Sequence, residues 1–429
     1  MIRNIYILLL LAFGLSQGNS LTNFQNKDYT NNRFGSCISE SRMQEIQAQI
    51  KLNIQSLKAQ GKIDPNIFNK DRVQFSFPLQ VSDNYDAYNY WGIWNFVDQD
   101  QSANILDYNC RHRTYNGHEG TDFFIGPFPW QMMENESVEI VAAADGMIVY
   151  KEDFGIPDNC LNQTEWNAIH VLHLDNSIAM YGHIKQNSLT DKEYGEFVSA
   201  GEYLGIVGSS GWSPSPHLHL VFYKDNFGNL IDPYSGECNN LNDESRWIEQ
   251  TEYWQPTIFR IVTHDEHPNL SDCDYGENIN ERNNFIPGET VLVYAYYRDM
   301  LPSQVSEWRT YRPDGQQVGY WEAHLGNYID DECYWQGCYL NDYVYLPNDP
   351  SSIGTWLVQI EHEGEVYEHT FNVQSLGDMN NDGSLNVIDI VMAVDLILND
   401  NYDLVGDVNE DGTLDVLDLV ILVNWILFP

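Results

Sequence analysis

The chain has 429 residues, room for about three domains, and its 43% hydrophobic and 20% charged residues describe a globular protein, not a disordered or fibrous one. Its formal net charge of −42 excludes a nucleic-acid backbone or an anionic membrane surface as the main partner. Such a charge suits a soluble extracellular protein whose self-repulsion is screened by salt or divalent cations.

Taken in chain order, residues 1–20 read as a signal peptide. Arg3 precedes the apolar run Ile5 to Phe13, and small or polar residues follow through Ser20. That run is too short to span a bilayer, and no later run is long enough, so a secreted protein without a membrane span is expected. In an oxidising compartment Cys37, Cys110, Cys160, Cys238, Cys273, Cys333 and Cys338 read as disulfides with one left over. Spacing does not fix the connectivity; Cys110–Cys160 and the local Cys333–Cys338 are the pairs expected.

Residues 21–100 form an N-terminal helix and lead-in. The helix is expected over 39–60, with Met43, Ile46, Ile50, Ile54 and Leu57 on one stripe, Ser41 and Gln44 at capping-box spacing, and Gly61 as its stop. Short strands broken by Gly, Pro and Asn turns then fill 101–240. Residues 255–374 continue as strands. Val291 to Tyr297 is one, Pro313-Asp-Gly315 a turn, and Trp356, Val358 and Ile360 share one face of another. Glu363-Gly-Glu365 is a hairpin tip leading to Tyr367, His369, Phe371 and Val373. This density of short strands reads as an Ig-like β-sandwich.

The chemistry sits between residues 118 and 219. In His217-Leu-His219 both imidazoles share one strand face while Leu218 and Leu220 take the other. Two neighbouring imidazoles need a partner, and a metal is a common one. His118-Glu-Gly-Thr-Asp122 adds an imidazole and a carboxylate, and Tyr181-Gly-His183 a further imidazole. The remaining histidines read as structural or exposed: His170 and His173 on opposite faces of a strand, His112 in a loop, His264 and His267 in a linker to the sandwich.

Together these fragments resemble the lysostaphin/LytM-type zinc metallopeptidases, which cut peptide cross-links in bacterial cell walls. The resemblance covers residues 115–234. It rests on His118-Glu-Gly-Thr-Asp122, Val141-Ala-Ala-Ala-Asp-Gly146, Tyr181-Gly-His183, the glycine-rich Ala200 to Gly211, His217-Leu-His-Leu220 and Ile231-Asp-Pro233. It implies an antiparallel β-sheet peptidase domain in which His118, Asp122 and His219 bind one zinc ion. His183 and His217 are then the catalytic imidazoles, and Asn167 lines the cleft. Leu220 and Val221 stand where the family commonly has an aromatic and an acidic residue, and Ser215-Pro216 replaces its usual glycine, which bears on substrate preference.

The last segment, 376–429, carries two copies of one loop, offset by 29 residues. Asp378, Asn380, Asp382, Ser384, Asn386 and Asp389 recur as Asp407, Asn409, Asp411, Thr413, Asp415 and Asp418, with Gly383 and Gly412 at the sharp turn of each twelve-residue loop. Apolar helices are expected after them, at Val387–Leu398 and Val416–Leu427. The segment holds no Lys or Arg. Paired loop-plus-helix units ending in Asp are similar to a type I dockerin, a small α-helical domain that binds two calcium ions structurally and docks to a cohesin. The whole chain is therefore expected to be mostly β: a secreted zinc metalloendopeptidase hydrolysing peptidoglycan stem or cross-bridge peptides. An extracellular protease of glycine-rich proteins and a catalytically silent wall-binding regulator are the alternatives.

Overall fold

Ser39 opens the first helix, α1 (Glu40–Ala59), its side chain accepting from the Arg42 amide, so the cap lies two residues before the expected Ser41. Ile46, Ile50, Ile54 and Leu57 are buried and Met43 packs beside them. Gly61, at φ +68°, takes the left-handed turn that ends the helix. The structure, a computed structural model, describes residues 38–429 except 65, 83–84, 86, 153, 159, 162–164, 225–226, 271–276, 325–337, 410 and 429. The expected signal peptide and Cys37, Cys273 and Cys333 lie outside the described residues.

Strands follow α1 as β1 (Leu79–Val81), β2 (Trp91–Asn95) and β3 (Thr121–Ile125), then helix α2 (Pro129–Glu134) and strands β4 (Val138–Val141), β5 (Gly146–Glu152), β6 (Ala168–His173) and β7 (Ile178–Gly182). After them come β8 (Phe197–Val198), β9 (Tyr203–Ile206), β10 (His217–Lys224) and β11 (Asn229–Ile231). One sheet runs β2-β3-β10-β7-β6-β5-β8 with β11 on β10, and a smaller one runs β1-β4-β9. All their pairings are antiparallel. One apolar core joins α1, β1 and β2 to the later strands, through Ile50, Leu57, Leu79, Ile93, Phe123, Leu218 and Leu220. The boundary expected at residue 101 thus falls between two strands of a single sheet.

A second pair of sheets is built from β12 (Thr257–His264), β13 (Asn284–Phe285), β14 (Thr290–Arg298), β15 (Ser306–Tyr311), β16 (Gln317–Ala323), β17 (Cys338–Tyr345), β18 (Gly354–His362) and β19 (Glu365–Val373). Their orders are β12-β14-β17 and β13-β19-β18-β15-β16, antiparallel apart from β13 on β19. The sheets enclose Val293, Tyr297, Trp308, Trp356, Val358, Ile360 and Phe371. Glu363 and Gly364, both at positive φ, form the hairpin tip between β18 and β19. His264 is the buried last residue of β12 and not part of a linker.

The two units share an apolar seam. Trp94, Phe124 and Phe128 from the first meet Phe259, Val262 and Tyr296 from the second. Arg113 and Asp299 form an ion pair of 2.9 Å across it, both side chains buried. Beyond the second unit, helices α3 (Val387–Leu398) and α4 (Val416–Leu427) follow the two acidic loops. Each begins with a capping box, Asn386 with Asp389 and Asp415 with Asp418. Mostly β architecture with antiparallel sheets is borne out.

The expected Cys110–Cys160 disulfide is not formed. Cys110 pairs with Cys238, Cα atoms 5.1 Å apart, because the Cys238 amide donates to the Tyr108 carbonyl and brings the two turns together. Cys160 runs instead beside Ser213 and Pro214. Cys160 and Cys338 are each disulfide-bonded; the Cys333 expected opposite Cys338 falls outside the described residues. No helix among the described residues is long and apolar enough to cross a membrane.

Candidate metal centre

Three strands assemble the centre. In the β3–β10 ladder Asp122 lies directly opposite His219, and in the β10–β7 ladder His219 lies opposite Gly182, the residue before His183. Directly opposed residues of an antiparallel pair share a face, so Asp122 and His219 meet there. His217 joins them two residues along β10, while Leu218 and Leu220 enter the core. His118 approaches from the turn before β3, its amide bonded to the Tyr115 carbonyl.

The ligand atoms of His118, Asp122 and His219 lie within 4.8 Å of one another, all three residues buried. Asp122 Oδ1 is 2.7 Å from His219 Nδ1 and 3.2 Å from His118 Nε2. Those two ring nitrogens are 3.3 Å apart. His118 Nδ1 donates to the Phe96 carbonyl at 2.7 Å, so Nε2 is the ring nitrogen left to face the carboxylate. Burial opposes charge on Asp122, but the His118 and His219 imidazoles outweigh it and hold its carboxyl well below the usual range. Burial likewise opposes a charged His118, and Asp122 overrides it, pushing that imidazole up.

His217 and His183 flank this trio without joining it. His217 Nδ1 donates to the Ser215 carbonyl at 2.8 Å and His183 Nδ1 to the Ser210 carbonyl at 2.6 Å. Each ring therefore presents an unprotonated Nε2. That of His183 is buried with no hydrogen-bond partner, and that of His217 stands 3.7 Å from Asp122 Oδ1. The two rings are 4.5 Å apart between centroids. Burial keeps both imidazoles below their ordinary range, reinforced at His183 by His217 and His219. His183 sits at φ +61°, a left-handed conformation that places its ring beneath the Ser210 turn.

Glycines in the motifs have steric reasons. A Cβ at Gly120 would lie 2.8 Å from His219 Cε1 and 2.9 Å from the Leu220 carbonyl oxygen. One at Gly182 would lie 2.4 Å from Trp166 Cζ3. Trp166 is the wall behind the centre, its ring 5.3 Å from that of His183 and 6.1 Å from that of His219. Its Nε1 donates to Glu152, which also accepts from Arg42 of α1.

Asn167 is fully buried. Its side chain accepts from the Ile156 amide and donates to the Ile156 and Ile184 carbonyls, and its amide bonds Ser210 Oγ. It thereby braces the loop carrying His183. His170 and His173 are buried within β6. The tail residues bond within their own loops. Asp378 accepts from the Asp382 and Gly383 amides and Asp389 from the Asn380 and Asn386 amides, and Asp407 and Asp418 repeat the pattern. Two contributors carry no motif: Asn95, whose Nδ2 donates to Asp122 Oδ2 at 2.8 Å, and Trp94, whose ring lies 5.1 Å from that of His217.

Residues 117–233 match the sequence model of Peptidase family M23. Among solved structures, the chain is similar to a mutant catalytic domain of the prophage-encoded M23 protein EnpA from Enterococcus faecalis. That match has 27% identity over 32% of this chain and 88% of the other, at a TM-score of 0.22. The catalytic domain of the antimicrobial peptidase lysostaphin from Staphylococcus simulans matches at 21% identity over 36% and 96%, TM-score 0.20. A zinc-containing peptidase from Vibrio cholerae matches at 17% identity over 38% and 39%, TM-score 0.23. Comparison with curated proteins gives no match.

Proposed function

We propose that the chain is a secreted zinc-dependent endopeptidase that hydrolyses peptide bonds in peptidoglycan stem or cross-bridge peptides. One observation carries this reading: three buried ligand atoms converge beside two further imidazoles whose Nε2 atoms are unprotonated, inside a Peptidase family M23 domain. The donor set fits zinc. His118 Nε2, Asp122 Oδ1 and His219 Nδ1 supply the three protein ligands of a catalytic site with its fourth position open. A zinc ion held there supplies Lewis acidity and lowers the pKa of a water.

The chain's own residues do the rest. The hydrogen bond from His118 Nδ1 to Phe96 fixes the tautomer in which Nε2 serves as a ligand. One of His217 and His183, both kept neutral by burial, takes the proton of the attacking water on Nε2. Once protonated, that ring donates to the carbonyl oxygen as it gains negative charge and passes the proton to the amine nitrogen as the C–N bond breaks. The Cys110–Cys238 disulfide supports an oxidising, extracellular setting.

The second unit, 255–374, reads as an Ig-like sandwich and 376–429 as a dockerin-like tail holding two calcium ions. Supporting the calcium reading, Gly383 and Gly412 take φ +80° and +84° at the loop turns. Supporting a cohesin-type partner, Val387, Ile388, Val391, Val416, Leu417 and Val420 are exposed on the two helices. Incubating the zinc-loaded chain with purified peptidoglycan and with a glycine-rich protein, then reading fragments by mass spectrometry, tests the function. New amino termini in wall peptides are expected. Cleavage of the glycine-rich protein alone would move the substrate there, and wall binding without cleavage would make the protein a silent wall-binding regulator.

A further inference from the structure

Resting on the zinc reading above, we infer that Asn95 is a positioning residue for Asp122, aimed at it by a β-bulge. Strands β2 and β3 pair as Trp91 with Ile125, Gly92 with Phe124 and Ile93 with Phe123, after which the register slips and Asn95 opposes Asp122. Trp94 is the extra residue. In an unbroken ladder Trp94 would oppose Asp122, and Asn95 would oppose Thr121, whose side chain takes the other face. A bulge re-aims a side chain in this way and is common beside active sites. Here it turns Asn95 onto the face of Asp122 and leaves Trp94 there as well, stacked on Phe124 and beside His217.

The consequence is a division of labour between the two carboxylate oxygens. Asp122 Oδ2 is committed to Asn95 Nδ2 at 2.8 Å, in a bond between two buried side chains. Oδ1 alone faces His118 and His219. Asn95 thus makes Asp122 a one-oxygen ligand and stops the carboxylate from rotating to offer both. Strand β2 is itself held from outside the sheet: the Trp91 carbonyl accepts from Arg298 at 2.8 Å and the Ile93 carbonyl from Arg113. Arg298 belongs to β14, so the second unit helps to fix the strand that carries Asn95.

The test uses the full chain, with Asn95→Leu as a near-isosteric variant that cannot donate and Asn95→Ser as a second one, too short to reach Asp122, in case the leucine does not fold. Zinc affinity is read by competition with a chelator, and the ligand sphere by the visible absorption of the cobalt-loaded protein. Expected are a roughly 10–100-fold loss of zinc affinity, the size usual for a lost outer partner of a ligand, and weaker cobalt bands as the freed Oδ2 raises the coordination number. Circular dichroism should be unchanged. A folded variant with the zinc affinity and cobalt spectrum of the parent overturns the inference. A parent chain that takes up no zinc overturns the reading beneath it, and does so before any variant is made.

Discussion

Asp122 Oδ1 stands 2.7 Å from His219 Nδ1 but 3.7 Å from His217 Nε2, although the two histidines share one face of one strand. Cross-strand pairing decides the difference: Asp122 opposes His219 directly and Phe124 opposes His217. The two alanine variants should therefore fail differently. His219→Ala should lose zinc and activity together. His217→Ala should keep near-stoichiometric zinc while turnover falls roughly 10²–10⁴-fold, the range for a lost acid–base group. Elemental analysis of purified His217→Ala decides it, and absence of zinc there would reverse the assignment.

Much of this centre was legible because strand periodicity is local. His217 and His219 share a face whatever the rest of the chain does, and Leu218 and Leu220 confirm it from the core side. Helices α3 and α4 have the expected bounds because loop and cap signals lie within a few residues of each other. Asn95 was not legible. Its role depends on a one-residue register slip, and nothing in Trp91-Gly-Ile-Trp-Asn95 marks where the partner strand slips. The Cys110–Cys238 pairing was hidden for a related reason: it spans 128 residues and follows from how two distant turns dock. His264 read as linker because its neighbours in space, Tyr294 and Tyr296, are thirty or so residues away in sequence.

The glycine between His118 and Asp122 gives a sharper test of geometry than removal of a ligand. Gly120→Ala keeps every donor but drives a methyl to 2.8 Å from His219 Cε1 and 2.9 Å from the Leu220 carbonyl oxygen. His219 must then turn from Asp122. Zinc affinity should fall at least tenfold while the fold persists, as read by chelator competition and circular dichroism. Unchanged affinity would mean that the β3–β10 ladder yields more easily than its packing suggests.

Arg113 tests the seam between the two units. Replacing it with leucine leaves the Asp299 carboxylate buried without its ion-pair partner, with the Gln255 amide still bonded and Arg298 as the remaining nearby charge. Breaking a buried pair from one side typically costs about 3–5 kcal/mol. Arg113→Leu should unfold at markedly lower urea and expose the stretch between residues 240 and 257 to proteases. The double variant with Asp299→Leu should lose less stability than Arg113→Leu alone. Equal stability of the single variant and the parent would show that the seam is held by its apolar contacts only.

Acid should weaken the second unit through His264. Burial lowers its pKa from 6.5 to about 4, and its ring lies edge-on to Tyr294 and Tyr296. Between those two values the unfolded chain binds a proton that the folded one does not. The stability this histidine contributes is present above pH 6.5 and lost as pH falls toward 4, up to about 3 kcal/mol in all. His264→Phe should therefore show a shallower decline over that window in urea unfolding measured at several pH values. Parallel curves for parent and variant would place the acid sensitivity elsewhere.

Calcium separates a dockerin-like tail from a merely acidic one. The two loops carry Asp378, Asp382 and Asp389, and Asp407, Asp411 and Asp418, with no Lys or Arg in the segment to offset them. Carboxylates about 4 Å apart repel by about 1 kcal/mol per pair even in water and more in a lower dielectric. The helices behind the loops offer little in return, since α3 buries Asp389 and Ala393, α4 buries Asp418 and Leu422, and Val387, Val391, Val416 and Val420 stay exposed. A divalent ion in each loop removes the repulsion and turns each acidic cluster into a staple between loop and helix. Equilibrium dialysis of the full chain should find two calcium ions, and Asp389→Ala or Asp418→Ala should each leave one. Dialysed free of calcium, residues 376–429 should become sensitive to proteases and regain protection when calcium returns. Zinc-dependent hydrolysis should persist throughout, because no tail ligand lies near His118, Asp122 or His219 in sequence. Protease sensitivity that ignores calcium, with no ion bound, would leave the tail an acidic appendage and remove the ground for a cohesin-type partner.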